Sequence, residues 1–199
     1  MMKKLSKLAL LAVAAAFLAA ALPACSSGSS DDDDSSITTK PEVSPEEDTG
    51  KKSKSMTLDV SDCDDAESIT AETRLNDDFS VLANASSPVI IDGNSKSLDG
   101  VSHTKRIKLG GAGDTTKRSV KFAPDGAATI KIAMMSSSSG EANIWAVILE
   151  GSESGNLQEW TDVDGDSLGS FEYNYTGTGE TLYLYSKSGG LNIYAIYVN

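Results

Sequence analysis

Residues 104–134 read TKRIKLGGAGDTTKRSVKFAPDGAATIKIAM, and this stretch decides the fold. Three runs within it alternate apolar and polar side chains, which is typical of strands that bury one face. A glycine-rich segment at 110–113 and the tripeptide Pro124-Asp125-Gly126 separate the runs, and both favour turns. The stretch therefore predicts three short strands of an antiparallel sheet.

The same alternation recurs on both sides of that stretch, with turn signals such as Asp99-Gly100 between the runs. It predicts strands over Met56–Ser61, Phe79–Ala83, Val89–Asp92, Arg106–Leu109, Ser119–Ala123, Ala128–Met134, Asn143–Glu150, Ser170–Tyr175, Thr181–Ser186 and Leu191–Val198. Only Asp64–Leu75 carries a weak helical pattern. The chain is thus predicted to be all-β, an antiparallel β-sandwich of about 9–10 strands with a jelly-roll-like arrangement.

The last of these strands, LNIYAIYV, is apolar on both faces. Strict alternation puts Ile193, Ala195 and Tyr197 on one face and Tyr194, Ile196 and Val198 on the other. A strand that is apolar on both faces is expected inside a sheet.

The first 24 residues have the pattern of a secretory signal peptide, with Lys3, Lys4 and Lys7 before an apolar run over residues 8–22. That run is shorter than the roughly 20 residues of a membrane span. It ends Leu22-Pro23-Ala24-Cys25, which resembles the bacterial lipobox, where the cysteine is lipidated and the signal peptide removed; Pro23 departs from that pattern. We therefore expect a palmitate-bearing lipoprotein anchored through Cys25 in the cell envelope, periplasmic or surface-exposed. The alternative is an ordinary signal peptide of a secreted protein, with a chance cysteine.

Residues 26–55 contain almost nothing apolar, so they are predicted to form a disordered tether in which Asp31–Asp34 act as a solvated spacer. The prediction divides the chain into a signal peptide at 1–24, a lipidated cysteine and tether at 25–55, and a folded domain at 56–199. With Cys25 assigned to lipidation, Cys63 has no cysteine partner and is expected to act as a small buried apolar residue.

Charge argues against a plain nucleic-acid binder. The formal net charge is -12, and residues 56–199 hold 10 basic and 21 acidic side chains. Any site for an anion in this domain must therefore be a local basic patch.

Five segments carry a resemblance to a known family: Thr104–Gly111, Arg118–Phe122, Gly126–Ile130, Leu182–Ser186 and Gly190–Ile196. In order and spacing they resemble the β-sandwich modules appended to bacterial pectate lyases, within or near the pectin-binding carbohydrate-binding modules of family 77. Residues 141–180 depart from that pattern, and the β-helical lyase itself is missing. The resemblance implies non-catalytic binding of de-esterified homogalacturonan, with basic side chains meeting uronate carboxylates.

The basic side chains fit that implication. Between His103 and Lys121 the chain carries Lys105, Arg106, Lys108, Lys117, Arg118 and Lys121 against Asp114 alone, a local charge near +5. Alternation turns Ile107 and Leu109 inward and Arg106 and Lys108 outward, and it likewise turns Lys121 outward between Val120 and Phe122.

Arg106, Lys108 and Lys121 are thus predicted to contact carboxylates, with Lys105 assisting. Lys117, Lys131 and Trp160 are further ligand-binding candidates, and Lys187 is a weaker one. The alternative is that these outward charges only solubilise the sheet. Trp145 lies in a stretch that is apolar on both faces and is expected in the core, whereas Trp160 is expected to be exposed and to stack on a sugar ring.

The segment Asp162-Val163-Asp164-Gly165-Asp166 looks like a calcium loop, but its spacing does not fit an EF-hand. A hairpin turn is the main interpretation, and structural calcium at Asp162, Asp164 and Asp166 is the alternative; no other cofactor is expected. His103 is the only histidine, no Gly-x-Ser-x-Gly elbow occurs, and zinc lacks ligands, so no enzymatic activity is predicted.

The resulting hypothesis is membrane-anchored, non-catalytic binding of an acidic, pectin-like polysaccharide. One alternative is a structural or adhesin-like lipoprotein without a sugar site. Another is an accessory subunit of a separate pectinolytic enzyme, which would expose a sizeable apolar patch. Clustering of the basic side chains on one exposed face would favour the first hypothesis over the second.

Overall fold

The computed structural model describes residues 52–138, 145–152 and 157–199. Apart from one 3₁₀ turn at Val60–Asp62, its regular structure consists of strands. They are β1 Met56–Asp59, β2 Ala66–Ile69, β3 Thr73–Arg74, β4 Phe79–Leu82, β5 Val89–Leu98, β6 Val101–Leu109, β7 Ser119–Phe122, β8 Ala128–Ser136, β9 Trp145–Gly151, β10 Leu157–Val163, β11 Gly169–Tyr175, β12 Leu182–Ser186 and β13 Leu191–Val198.

The strands form two antiparallel sheets. A seven-stranded sheet has the order β11-β8-β13-β6-β5-β2, with β1 pairing β13, and a six-stranded sheet has the order β10-β9-β12-β7-β4-β3. The main hydrophobic cluster takes side chains from both, for example Ile107 and Ile132 from the larger sheet and Val120 and Leu184 from the smaller. Side chains that interdigitate between two sheets define a β-sandwich, so the predicted fold class is confirmed.

Alternation assigned the buried faces correctly along β6, β7 and β8. Ile107, Leu109, Val120 and Ile130 are 0% exposed, and Phe122 is 2% exposed. Burying an aliphatic or aromatic side chain of this size stabilises the fold by about 1.5–3 kcal/mol. The strand faces therefore follow from hydrophobic burial with a period of two.

The final strand is internal, as predicted, because β13 lies between β8 and β6. Its two faces do not alternate strictly, however. The register of β13 against β8 shifts between Ile193 and Ala195, so Ile193 and Ile196 both join the main cluster while Tyr194 and Ala195 turn to the opposite side. The predicted face assignment is therefore wrong from Ala195 onward, because the extra residue of this β-bulge moves every later side chain of the strand to the opposite face.

The hairpin of β5 and β6 is longer than predicted and reaches Leu98 and Val101. Its two-residue turn is Asp99-Gly100, with φ values of 51° and 81°. Both residues are left-handed, as a type I′ turn requires, and the Asp-Gly pair suits that conformation. A register shift between Gly93 and Lys96 separates the inner and outer halves of the hairpin.

A second hydrophobic cluster lies on the outer face, meaning the face of the seven-stranded sheet turned away from the six-stranded sheet. It consists of Ala133, Met135, Leu168, Tyr194 and Ala195, with Leu98 and Tyr197 packed against it. The tip of the β5–β6 hairpin therefore packs on the outer face of its own sheet.

Three strands were not predicted, namely β2, β3 and β10, and each is an edge strand. The first two occupy Asp64–Leu75, so the weak helical pattern there was misleading. Edge strands are often short and charged, which blurs their alternation.

The folded part also begins before residue 56. Lys52 bridges to Ala127, and Ser53 and the backbone of Lys54 bond the Asp125 carboxylate. Residues 52–54, which were assigned to the tether, thus contact the folded domain, whereas the signal peptide, Cys25 and the rest of the predicted tether lie outside the described residues. In the part of the chain that is described, no helix is long and apolar enough to cross a membrane.

Candidate functional site

The predicted basic residues are distributed over both sheets. Arg106, Lys108 and Lys131 lie on the outer face of the seven-stranded sheet, in β6 and β8. Lys121 belongs to β7 of the six-stranded sheet, and Lys117 lies in the loop before it. The expected single cluster is therefore not formed, because β6 and β7 belong to different layers of the sandwich.

Arg106 is locked to Asp92 on the neighbouring strand β5. Its Nε donates to one carboxylate oxygen at 2.7 Å and its Nη2 to the other at 3.2 Å. The hydrogen bond from Arg106 holds the pKa of Asp92 below its usual range, and the same bond raises the pKa of Arg106. A planar guanidinium in such a two-point contact has a fixed orientation.

Lys105 points to a different partner. Its Nζ donates to the backbone carbonyl of Cys63 at 2.6 Å and lies 3.3 Å from an Asp65 carboxylate oxygen. Cys63 itself is half-buried against the main cluster, and burial raises the pKa of its thiol. Lys105 therefore ties the segment before β2 to the sheet.

Four further lysines are paired with carboxylates, Lys117 within its own loop and the other three with acids from other segments. Lys117 lies 3.4 Å from Asp114, Lys131 lies 3.2 Å from Glu172, and Lys187 lies 3.1 Å from Glu159. Lys121 pairs with Glu72. Within the stretch from His103 to Lys121, three cations are thus offset by acids that a local count does not include, namely Lys105 by Asp65, Arg106 by Asp92 and Lys121 by Glu72. Exposed pairs of this kind contribute only about 0–1 kcal/mol, so a ligand carboxylate can compete for them.

Lys108 differs from these residues. Within the described parts of the chain, no carboxylate lies within 4 Å of its ammonium group, although it helps to lower the pKa of Asp92 through its charge. Across the sheet it is flanked by Ile90 and Asn192. Asn192 is 2% exposed; its Nδ2 donates to the Ser136 carbonyl at 3.4 Å, and its Oδ1 has no partner among the described residues. Lys108 and Arg106 thus form a small cationic site on the outer face, with Asp92 as its counter-charge.

Trp160 was predicted to be exposed, but its side chain is buried. It is 9% exposed, belongs to the main cluster and meets the ring of Phe171 edge-on at 6.1 Å. The sequence pattern did not predict strand β10, so it gave no reason to place Trp160 on the face that points into the core. The side chain of Trp145 lies outside the described residues.

Of the three calcium candidates, Asp164 stabilises a turn through its side chain. The Asp164 carboxylate accepts hydrogen bonds from the backbone N–H groups of Asp166 at 3.0 Å and Ser167 at 3.4 Å. Asp162 is exposed in β10. Within residues 52–138, 145–152 and 157–199, no group of three carboxylate, histidine or cysteine side chains comes together as a metal site requires.

His103 is buried and serves the fold in this structure. It is 2% exposed, its Nδ1 lies 3.5 Å from an Asp59 carboxylate oxygen, and its ring lies 6.3 Å from that of Tyr194. Burial opposes the charge on Asp59, yet the hydrogen bonds from Ser61 and the nearby imidazole of His103 leave the pKa of Asp59 lowered. In the described part of the chain, no serine, threonine or cysteine is hydrogen-bonded to this imidazole, as a nucleophile and its base would be.

The outer face also contains a cleft that the sequence pattern did not indicate. It has a volume of about 180 Å³ and lies between the tip of the β5–β6 hairpin and the sheet. The residues that line this hairpin cleft are Leu98, Asp99, Val101 and the buried His103 on the hairpin and Lys131, Ile132, Ala133, Ser170 and Tyr197 on the sheet. Only the Asp99-Gly100 turn could have pointed to it, since the packing of the hairpin on the sheet depends on the register shift.

Comparison with known proteins gives distant structural similarities only. No protein-family model and no characterised protein sequence matches the chain. A family 6 carbohydrate-binding module from Cellvibrio mixtus lichenase 5A, in complex with cellotriose, has a TM-score of 0.38 and 11% identity over 72% of this chain and 95% of that one. The C-terminal family 6 module of LamC from Zobellia galactanivorans has a TM-score of 0.33 and 13% identity over 73% and 99%.

A family two carbohydrate esterase from Cellvibrio japonicus has a TM-score of 0.35 and 11% identity over 73% of this chain and 33% of that one. Similarity at this level does not establish a shared function. The resemblance to pectin-binding modules therefore stays a prediction, and the function must be argued from the side chains.

Proposed function

We propose that the domain binds an acidic, pectin-like polysaccharide without catalysis, at the cationic site of Arg106 and Lys108. The observation that carries the proposal is Lys108, whose ammonium has no carboxylate within 4 Å in the described parts of the chain and which shares a strand face with Arg106. The motif Thr104–Gly111, on which the resemblance to pectin-binding modules rests, contains both residues.

The two cations offer complementary contacts to a uronate chain. Lys108 presents an ammonium, whereas Arg106 presents a largely buried guanidinium that Asp92 engages through Nε and Nη2 and that also interacts with the Tyr194 hydroxyl. A guanidinium has five N–H donors, so Arg106 has donors beyond these contacts. Residues two apart on a strand lie roughly 7 Å apart. Charge-assisted hydrogen bonds to carboxylates are about twice as strong as neutral ones, so two such contacts favour an acidic chain.

The proposal includes the cellular setting. We propose that Cys25 carries the lipid, that the tether holds the domain away from the membrane, and that the chain resides in the bacterial cell envelope. Two acyl chains suffice for stable anchoring, because each buried CH₂ contributes about 0.8 kcal/mol. Incorporation of labelled palmitate into the wild type and not into Cys25→Ser would support this part, and equal labelling would contradict it.

Affinity electrophoresis tests the binding site. The full chain, kept in a non-ionic detergent, is run in gels with polygalacturonate, fully methyl-esterified pectin, a neutral glucan or no polysaccharide. We expect retardation by polygalacturonate alone, weakening as salt screens the charges. Lys108→Ala should reduce it several-fold.

Lys54→Ala is the matched control, because it removes the same charge from an exposed residue near Asp78, away from the cationic site. Equal losses in Lys108→Ala and Lys54→Ala would show only a general charge effect. Equal mobility of the folded wild type in all four gels would reject polysaccharide binding at this site and favour the structural or adhesin-like alternative. Retardation of the chain by a separate pectinolytic enzyme, without polysaccharide, would favour the accessory-subunit alternative.

A further inference from the structure

We propose that the hairpin cleft is a second carbohydrate site, which takes a single neutral pyranose ring. The site is distinct from Arg106 and Lys108 and does not depend on the polysaccharide proposed for them. The argument rests on the size of the cleft, its lining, its charge and the rigidity of its walls.

The size of the cleft limits the ligand to about one ring. Its volume is about 180 Å³, whereas pockets that enclose drug-sized ligands measure about 300–1,000 Å³. One wall is the hairpin tip with Leu98 and Val101, and the floor is formed by Ala133 and Tyr197 of the sheet. Such a space suits a six-membered ring that continues into solvent.

The cleft is lined by both apolar and polar groups, which suit the C–H face and the hydroxyl groups of a pyranose. Val101 is 49% exposed and is the one large hydrophobic side chain that stands open to solvent in the described parts of the chain. Tyr197 and Leu98 are partly buried beside it, so their apolar surfaces can cover the C–H face of a sugar. The polar groups of Asp99, Ser170 and Lys131 lie around these apolar surfaces, where the hydroxyl groups of a ring can bond them.

The charge of the cleft favours a neutral sugar over a uronate. Lys131 is the one lysine or arginine in the lining, and its ammonium lies 3.2 Å from the Glu172 carboxylate. Asp99 adds a carboxylate at the hairpin tip, in an exposed position. A uronate would therefore meet a net negative surface, while hydroxyl groups could donate to Asp99 and accept from Lys131.

The walls are fixed before any ligand arrives. The left-handed Asp99-Gly100 turn sets the tip, and Leu98 packs on the second hydrophobic cluster. Behind it, the Tyr194 hydroxyl donates to the Asn94 side chain at 2.6 Å, which ties β5 to β13. A preformed site avoids the cost of ordering side chains on binding, which matters for a ligand with few contacts.

Frontal affinity chromatography on the immobilised full chain carrying Lys108→Ala provides the test, because this substitution removes the ammonium proposed to bind uronates at the cationic site and leaves the lining of the cleft unchanged. The probes are the methyl glycosides of glucose, galactose, mannose and rhamnose, together with methyl glucuronoside and methyl galacturonoside. Each uronoside differs from its neutral counterpart only at C6, where a carboxylate replaces the hydroxymethyl group, so each pair compares a charged with a neutral substituent on the same ring. We expect at least one neutral glycoside to be retained more strongly than any uronoside.

Variants locate the site. Val101→Asp should abolish retention of the neutral glycoside, whereas Ser102→Asp, which adds the same charge at the exposed neighbouring residue on the other face of the hairpin, should retain it. Asp99→Asn, which tolerates the left-handed turn, should raise retention of the uronosides several-fold. Urea unfolding midpoints of the variants confirm that they are folded.

Three outcomes would overturn the proposal: no retention of any neutral glycoside, stronger retention of uronosides than of neutral glycosides, or equal loss in Val101→Asp and Ser102→Asp. Failure of the cationic site to bind polygalacturonate leaves this test untouched, because Lys108 is not part of the cleft and the test is made in a chain that lacks its side chain.

Discussion

Breaking the Arg106–Asp92 pair should reveal a coupling energy of about 1 kcal/mol in the free energy of unfolding. The two hydrogen bonds measure 2.7 and 3.2 Å, and the side chains of Arg106 and Asp92 are 18% and 37% exposed. Hydrogen bonds to charged groups contribute about 1.5–3 kcal/mol, and exposed ion pairs about 0–1 kcal/mol. Because water reaches Asp92 and screens the pair, we expect the coupling energy of Arg106 and Asp92 to lie between these two ranges.

A double-mutant cycle isolates this energy. Arg106→Ala, Asp92→Ala and the double variant are unfolded in urea at pH 7, with tryptophan fluorescence as the signal. The Lys131–Glu172 pair is the control, since it lies on the same outer face but has side chains that are 52% and 50% exposed. We expect its coupling energy to stay below about 0.5 kcal/mol.

The pH dependence of the coupling follows from Asp92. Its pKa is lowered in the folded chain, chiefly by the hydrogen bond from Arg106, relative to about 3.9 in an unfolded chain. A carboxylate with a lowered folded pKa contributes stability above the unfolded pKa and loses it as pH falls through the folded value. The coupling energy should therefore be constant from pH 7 to about pH 5 and decline below about pH 4.

Two results would refute this reasoning. A coupling energy at pH 7 no larger than that of Lys131–Glu172 would mean that partial burial and two-point geometry add nothing. A coupling that persists undiminished after Asp92 is protonated would mean that the energy comes from packing of the arginine stem rather than from charge.

Three further changes have defined expectations. Trp160→Ala should lower the free energy of unfolding by about 3–5 kcal/mol in urea titrations, because the side chain is 9% exposed in the main cluster, and a small effect would contradict its burial. Tyr194→Phe should cost about 1 kcal/mol by the same measurement through the lost bond to Asn94, and an unchanged free energy of unfolding would count against that bond. Gly100→Ala should cost about 1 kcal/mol because φ is 81° there, and thermal unfolding that is unchanged would argue against the left-handed turn.

The fold was predictable where one face is buried and one is wet. Ile107 and Leu109 lie inside and Arg106 and Lys108 lie outside. Successive side chains of a strand point to opposite faces, so a strand with one face on the core and one in water must alternate apolar and polar residues. Prediction failed at the bulge around Tyr194, since alternation carries no signal for an inserted residue in a strand that is apolar throughout. It also failed for three of the edge strands, β2, β3 and β10, because neither face of an edge strand has to be strictly apolar.

The candidate site was less predictable than the fold because charges pair across the chain. Lys121 meets Glu72, which is 49 residues away in sequence, and Arg106 meets Asp92 at a separation of 14. A window centred on the basic stretch contains neither acid, so it overstates the positive charge that a ligand would meet. The order of strands in each sheet determines which acid lies beside each basic residue, and the composition of a short segment does not predict that order.

The length of the β5–β6 hairpin explains why both proposed sites share one face. Strands of 10 and 9 residues exceed the pairing that β13 offers to β6, which covers Leu191–Ile193 only. The inner half of the hairpin remains in the sheet and presents Arg106 and Lys108 from rigid strand positions. Beyond the register shift the outer half is free to pack on the outer face, where Leu98 covers apolar surface and leaves the hairpin cleft beside it. Strands therefore hold Arg106 and Lys108 at one site and Leu98 and Val101 at the other, whereas Asp99 belongs to the left-handed turn between β5 and β6.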